Sequence, residues 1–406
     1  MQVAGEREPG ADGALAWIGP RPTGLEMVAI LTIGTMGMLI CGVQPVLLGA
    51  LLADQRLSAA ELGWATTSEF LSLGVMITAA GAVLKPTHMR LKMAAAASVA
   101  IVADILVRQH SGFAVVLNRG VAGLAEGLMV WCAASMIARS SAPARWAAVF
   151  LTAQGVTQLA FAAAAPVTVI AAFGANGGFY AMAATAGLAL LMVPFIPNSF
   201  VDLPPAPKRE GSVRGYSAAS LLSLASVFLI AAFSIGLFAY LAPVAAQAKI
   251  DGPGLGLIVS VVLATSVAGS TVAAFAAARI SFFSVFVICL VVNAIVLLVL
   301  AQLPGLVPFA IAAGVFGFFW LLFLPFQLPF VIETDPTRRI AVIVPGAQLL
   351  GGSAGPLFCS FLVNDVETRG ALVVCAICFG TAFLMSLGVH LQHLRTVRSA
   401  GVAPAT

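Results

Sequence analysis

Twelve stretches of this chain are apolar for so long that water cannot be the medium that covers them, and this limits the fold more than any motif does. A helix crossing the hydrocarbon core of a bilayer needs about 20 apolar residues, within a range of roughly 17 to 25. The segments that meet this are 26–52, 62–84, 92–109, 113–139, 145–173, 177–197, 217–246, 254–278, 281–302, 306–331, 340–363 and 370–393. Of the 406 residues 61% are hydrophobic and 9% charged, whereas soluble domains carry roughly a quarter charged residues. The expected class is an all-α membrane protein.

Charge placement excludes one class and orients the rest. The net charge of +4 is not gathered on one face, as nucleic-acid binding requires. Counted over alternate loops, fifteen Lys and Arg fall on one side of the twelve spans and four on the other. The positive-inside rule then puts both termini in the cytoplasm, as expected of a multi-pass protein of the cell inner membrane. Residues 1–25 read as a cytoplasmic tail without the apolar core of a cleaved signal, and 394–406 as a second tail. The six cysteines lie in apolar runs and read as small buried hydrophobes; Cys375 and Cys378 have CxxC spacing but sit mid-helix.

A polar stretch rich in Pro and charge, 198–216, separates six spans from six and reads as a cytoplasmic linker between an N-terminal bundle, 26–197, and a C-terminal bundle, 217–393. Weak repetition supports two pseudo-symmetric bundles of six. Gln158-Leu159 precedes Pro166 as Gln348-Leu349 precedes Pro356, with identical spacing. Pro45 ends helix 1 ahead of Leu62-Gly63, as Pro243 ends helix 7 ahead of Leu255-Gly256. Two local signals mark helix starts: Ser58 with Glu61 is a capping box, and Pro253 suits a first turn.

Ionisable side chains deep in a span cost about 2.5–3.5 kcal/mol or more and generally have a partner, a function or both. Four qualify, Glu69, Asp104, Arg119 and Glu126, all in the first half. Glu69 and Arg119 lie at matching depth and can pair. Asp104 has Arg108 four residues on, the spacing of an intrahelical ion pair. An ionic network that pins helix packing and a proton-coupling role are both open for these three. Glu126 lies roughly 20 Å along helix 4, two turns beyond Arg119 on nearly the same face. Burial there favours its neutral form and Arg119 its charged form, which suits a proton-loading site, although a permanently protonated Glu bonded to a neighbouring helix is the plainer alternative.

Uncharged polar and aromatic residues at mid-depth are candidate solute contacts: Gln154, Gln158, Tyr240, Asn293, Trp320, Gln327 and Gln348. Such residues also commonly serve as bonds between helices. Gly and Pro are dense where helices would flex, at Pro325 and Pro329, then at Gly346, Gly351, Gly352, Gly355 and Pro356. Tight packing would use the same residues. The four histidines lie at span ends or in loops and no HExxH or GxSxG occurs, which argues against an intramembrane enzyme.

Twelve spans in two sixes, the basic loop Gly81, Lys85, His88, Arg90 and Lys92, and the helix 4 run Arg119, Gly123, Gly127 resemble the major facilitator superfamily. In that family the position of Lys85 is an Asp that latches the halves; here the charge is reversed. The Gly-Pro signature of the family's drug antiporters is missing from helix 5, where Pro166 follows four alanines. The resemblance implies a secondary active transporter of a small organic solute working by alternating access, proton-coupled and with uptake favoured. Proton-driven efflux is the alternative within the class, and a non-transporting membrane sensor the alternative outside it. Gly81, Lys85, Arg90, Gly123, Gly127, Pro325, Gly351, Gly352 and Pro356 would then gate. A monomer needing no cofactor or metal is expected, its partners being the solute, protons and the bilayer.

Overall fold

With no water to satisfy peptide groups in a bilayer, apolar runs fold as helices whose backbone bonds close within the segment. The computed structural model describes residues 17–141, 143–202, 217–276, 280, 282–334 and 344–399, and among these it is helical with no strand beyond one isolated bridge, Thr87 with Ser199. The 1–25 tail up to residue 16, most of the linker (203–216) and the end of the second tail (400–406) lie outside the described residues.

The helices are α1 (Gly24–Gly37), α2 (Ile40–Ala53), α3 (Ala59–Val83), α4 (Met89–Leu106), α5 (Phe113–Arg139), α6 (Pro143–Ala164) and α7 (Val169–Met192). After the linker come α8 (Ala218–Gln247), α9 (Gly252–Ala276), α10 (Phe282–Ala301), α11 (Leu306–Phe323), α12 (Gln327–Thr334), α13 (Val344–Ser360) and α14 (Gly370–Ser399). Ten helical stretches among the described residues are long and apolar enough to cross a membrane. Two expected spans fall outside that set: α4 carries Arg90, Lys92 and Asp104 in 18 residues, and α13 is 17 residues long where it is described. Both nevertheless pack inside the bundle, α4 on α5 and α7, α13 on α3 and α8. Leu117, Leu151, Leu298, Ile311 and Leu384 stand exposed on the perimeter, a surface suited to lipid and not to water. The chain is a multi-pass membrane protein.

Local signals are realised in part. Ser58 Oγ accepts from Glu61 N while the Glu61 carboxylate accepts from Ser58 N at 2.9 Å, so the capping box starts α3. Pro253 is in the first turn of α9. Pro45 and Pro243, expected to end their helices, lie inside α2 and α8; a proline removes one donor and bends a helix, but in lipid the flanking bonds are worth keeping. The expected boundary between helices 5 and 6, after 173, coincides with Gly174, whose φ of 62° breaks the regular backbone within α7. The last helix runs through Ser399, past the expected start of the tail at 394.

The first span is broken where nothing was expected. Between α1 and α2 the ladder tightens to three-residue bonds, Leu39 N to Met36 O and Cys41 N to Met38 O, as in a 3₁₀ turn. Gln158 Nε2 of α6 donates to Met38 O at 2.9 Å, a second donor on the carbonyl that accepts from Cys41 N at the break. A side chain at Gly42 would collide with that same Gln158.

Contacts between the helices before and after the linker run along α3 and α13 as far as Gly74 against Leu349, and extend to the end of the bundle that holds Ser58, Gln247 and Asp365. There Gly49 lies against Ala242 and Leu255, Gly256 against Ala162 and Pro166, and Gly63 against Tyr240 and Pro356. At the other end α1 packs chiefly on α5, α6 and α7.

Candidate functional site

Helix α5 approaches α3 closely because one of its faces carries Gly120, Gly123 and Gly127. A Cβ at Gly123 would strike the Glu69 carbonyl, one at Gly127 would lie 2.5 Å from Leu73 O, and one at Gly120 2.5 Å from Ser68 Oγ. This close approach brings Arg119 against Glu69. The run Arg119, Gly123, Gly127 thus describes a packing surface that places a cation.

Arg119 is fully buried and held by residues of α3, α4 and α7 and by its neighbour Asn118. Its Nη1 donates to Glu69 Oε1 of α3 at 2.9 Å and its Nη2 to Asp104 Oδ1 of α4 at 2.8 Å. Asn118 Oδ1 accepts from Nη2 at 3.2 Å, while Asn118 Nδ2 donates to Ala103 O at 3.0 Å. The Phe179 ring of α7 covers the guanidinium, 5.0 Å from centroid to Cζ. Glu69 is inaccessible and Asp104 nearly so. Fully desolvated charges persist only when paired and hydrogen-bonded, and here one guanidinium serves two carboxylates. The expected Glu69–Arg119 pairing is present. The expected Asp104–Arg108 pair is not: the 3₁₀ turn Val107–Gln109 leaves Arg108 exposed, and Asp104 faces inward to Arg119.

Glu126 lies two turns further along α5, 4% exposed, without a hydrogen bond or ion pair among the described residues. Its backbone carbonyl sits against Gly37 of α1, 2.8 Å from where a Cβ would be, next to the break in the first span. Glu69, Arg119 and Asp104 are within electrostatic range. The buried group therefore contains three carboxylates and one guanidinium. Oε2 of both Glu69 and Glu126 is buried and unpartnered, as are Thr35 Oγ1 and the side-chain amide of Gln44.

The candidate solute contacts do not all come together. Gln348 Nε2 donates to Gln327 Oε1 at 2.9 Å, joining α13 to α12. Gln154 is buried, and Gln158 is committed to the break in the first span. Asn293 is buried with Nδ2 on Cys289 O and Oδ1 unpartnered. Trp320 is half-buried, stacked 5.6 Å from Phe316. Tyr240 is inaccessible and donates to Ala59 O at 3.0 Å, which places it in the contact between the two sets of helices.

The candidate gating residues divide by environment. Side chains at Gly351 and Gly355 would collide with Phe228 O and Ala232 O, so these glycines, with Gly352 against Ile235, seat α13 on α8. Pro356 is buried beside Gly63, and Pro325 is exposed in a 3₁₀ turn between α11 and α12. Gly81 and Lys85 are exposed; Lys85 O accepts from Lys92 Nζ, and Arg90 Nε donates to Ile196 O at 2.8 Å. The basic loop is thus tied to the chain just before the linker. Sequence reasoning missed Asn118, Phe179, Gln44 and Thr35; the polarity of Asn118 and Gln44 inside spans was the available signal.

The arrangement of helices is similar to that of several solved membrane transporters. A bacterial homologue of the human lysosomal transporter Spinster, inward-facing and unoccupied, matches with a TM-score of 0.63 at 12% identity over 90% of this chain and 97% of that one. The nucleoside transporter NupG matches at 0.67 and 13%, over 91% and 99%. The POT family transporter PepTSo matches at 0.67 and 11%, over 93% and 99%. At such identity the likeness speaks for the fold alone. No protein-family model matches the sequence, and no curated protein matches it.

Proposed function

We propose that this chain is a secondary active carrier of a small organic solute in the cytoplasmic membrane, working by alternating access and coupled to protons. Its twelve spans form two bundles, 26–197 and 217–393, with both termini and the basic loops inside, acting as a monomer without a cofactor. Repeated pairing supports the two bundles: α3 on α5, α4 on α5 and α7, and α1 on α7 are echoed by α9 on α11, α10 on α11 and α14, and α8 on α14. Across the middle, α3 on α13 is echoed by α6 on α9. With the Ser58 end outside, contacts between the bundles close the outer side.

The observation that carries the coupling is the imbalance of buried charge. Arg119 compensates Glu69 and Asp104 directly, and Glu126 is left without a partner among the described residues. A carboxylate so placed is stable only with a proton or a cation beside it, so Glu126 takes the proton and the Arg119 group senses it. Gln327 and Gln348, with Gln154, Asn293 and Trp320, offer uncharged contacts to the solute. Import is favoured over export, in keeping with the alanine run before Pro166. The named neighbours, transporters of nucleosides and others, support a carrier and leave the solute open.

The test begins with a screen for solutes that raise the melting temperature of purified protein, since ligand binding stabilises by mass action. A hit is then measured by counterflow in proteoliposomes. A carrier exchanges labelled for unlabelled solute without a pH gradient; binding without exchange contradicts the proposal.

A further inference from the structure

Asp365 lies in the turn between α13 and α14, and its Oδ1 accepts from Ala59 N, the first helical residue of α3, at 2.9 Å. The first N–H groups of a helix have no partner of their own and carry partial positive charge. At α3 the Ser58 hydroxyl takes Glu61 N, whereas Ala59 N is satisfied by a carboxylate from the other side of the linker. We propose that Asp365 is the catch of the outer gate: it closes the outer side by capping α3, and leaves Ala59 N to water when the bundles part.

The turn is built to present this residue. Asn364 Oδ1 accepts from Val366 N and Glu367 N, at 3.0 and 2.7 Å, and Asn364 N donates to Glu367 O. Gln247 Oε1 of α8 accepts both Thr368 N, at 2.9 Å, and Thr368 Oγ1. The turn is thereby fixed to the second bundle while its carboxylate reaches the first. Further along α3 the bonds across the interface are neutral: Tyr240 Oη to Ala59 O at 3.0 Å, Trp64 Nε1 to Ser360 Oγ at 2.9 Å and Thr67 Oγ1 to Ser353 O at 2.8 Å. Asp365 is the only charged side chain in this set. It also lines an open cavity of about 710 Å³ with Arg56, Glu61 and Gln247, so water reaches the catch while it is closed and can replace it as it opens.

The inference rests on the alternating-access reading, and the experiment separates the two. Nitroxide labels are placed at Arg108 and Gln302, exposed at the outer ends of the two bundles, and at Lys85 and Leu391 at the inner ends, in protein whose cysteines are replaced by alanine. Distances are read by pulsed electron resonance in lipid nanodiscs. Asp365→Ala is expected to raise the ratio of long to short outer distances about fivefold, the scale of one exposed charge-assisted bond at a helix terminus, with the inner distances shortening in step. Arg369→Ala, which removes an exposed ion pair from the same turn, leaves both ratios unchanged. Gly63→Leu, whose side chain would wedge against Tyr240 and Pro356, opens the outer end by force. Opening by Gly63→Leu but not by Asp365→Ala overturns the catch and keeps the moving bundles. No reciprocal change in any variant overturns alternating access itself.

Discussion

Replacing Arg119 with Met removes the one cation from a site with no access to water. Two ion pairs, at 2.9 and 2.8 Å, and the bond to Asn118 are lost together, and Glu69 and Asp104 remain buried with no counter-charge. Breaking a buried pair from one side costs about 3–5 kcal/mol, because the remaining charge is uncompensated. That corresponds to a melting temperature lower by on the order of 10 °C. Because the loss lies in the stranded carboxylates and not in the space vacated, neutralising them should restore stability. The triple variant Glu69→Gln, Asp104→Asn, Arg119→Met is expected to melt well above the single one. Melting curves of purified protein in one detergent, followed by tryptophan fluorescence, give both comparisons. An Arg119→Met protein as stable as wild type, or a triple variant weaker still, would refute the charge argument.

Gly123→Ala should lower the melting temperature by the equivalent of about 1–3 kcal/mol, as overpacking does, because the added methyl strikes the Glu69 carbonyl; Gly81→Ala, with open space around it, should change nothing measurable. Glu367 is held down to about 2 by its bonds to Arg369, with Gln247 helping. Its carboxylate tie is therefore complete above the ordinary carboxylate range and lost as the pH falls through about 2, so a spin label at Val366 should keep its mobility from pH 7 to 4 and loosen only near the lower value. Single cysteines at Lys208 and Lys249 should be labelled from opposite faces of sealed vesicles by a membrane-impermeant reagent; labelling from one face removes the proposed topology.

Sequence pattern made the rods legible because lipid demands uninterrupted apolar length, a property of composition alone. The depth match between Glu69 and Arg119 was legible too, since helix rise converts residue number into height. The partner of Asp104 was not. Spacing of four favours Arg108 on a continuous helix, and only the 3₁₀ turn after Leu106 settles that Arg108 points outward. The break at Met38 and Leu39 has no proline to announce it, and its compensating bond comes from Gln158, 120 residues away. Gly123, Gly127, Gly351 and Gly352 read as hinges or close contacts from the sequence; in the fold the first three lie against the backbone of a neighbouring helix and Gly352 against the Ile235 side chain. The catch at Asp365 was invisible for a similar reason, as the donor it meets is a main-chain group shared by every helix start.

In the proposed mechanism Glu126 is the group that couples proton to solute. The direct measurement is uptake of a solute found by the melting screen into proteoliposomes with an imposed pH gradient, wild type beside Glu126→Gln. Wild type should concentrate the solute above its external level, while the variant should only bring it to equilibrium and still exchange it. Uphill uptake undiminished in Glu126→Gln would contradict the account.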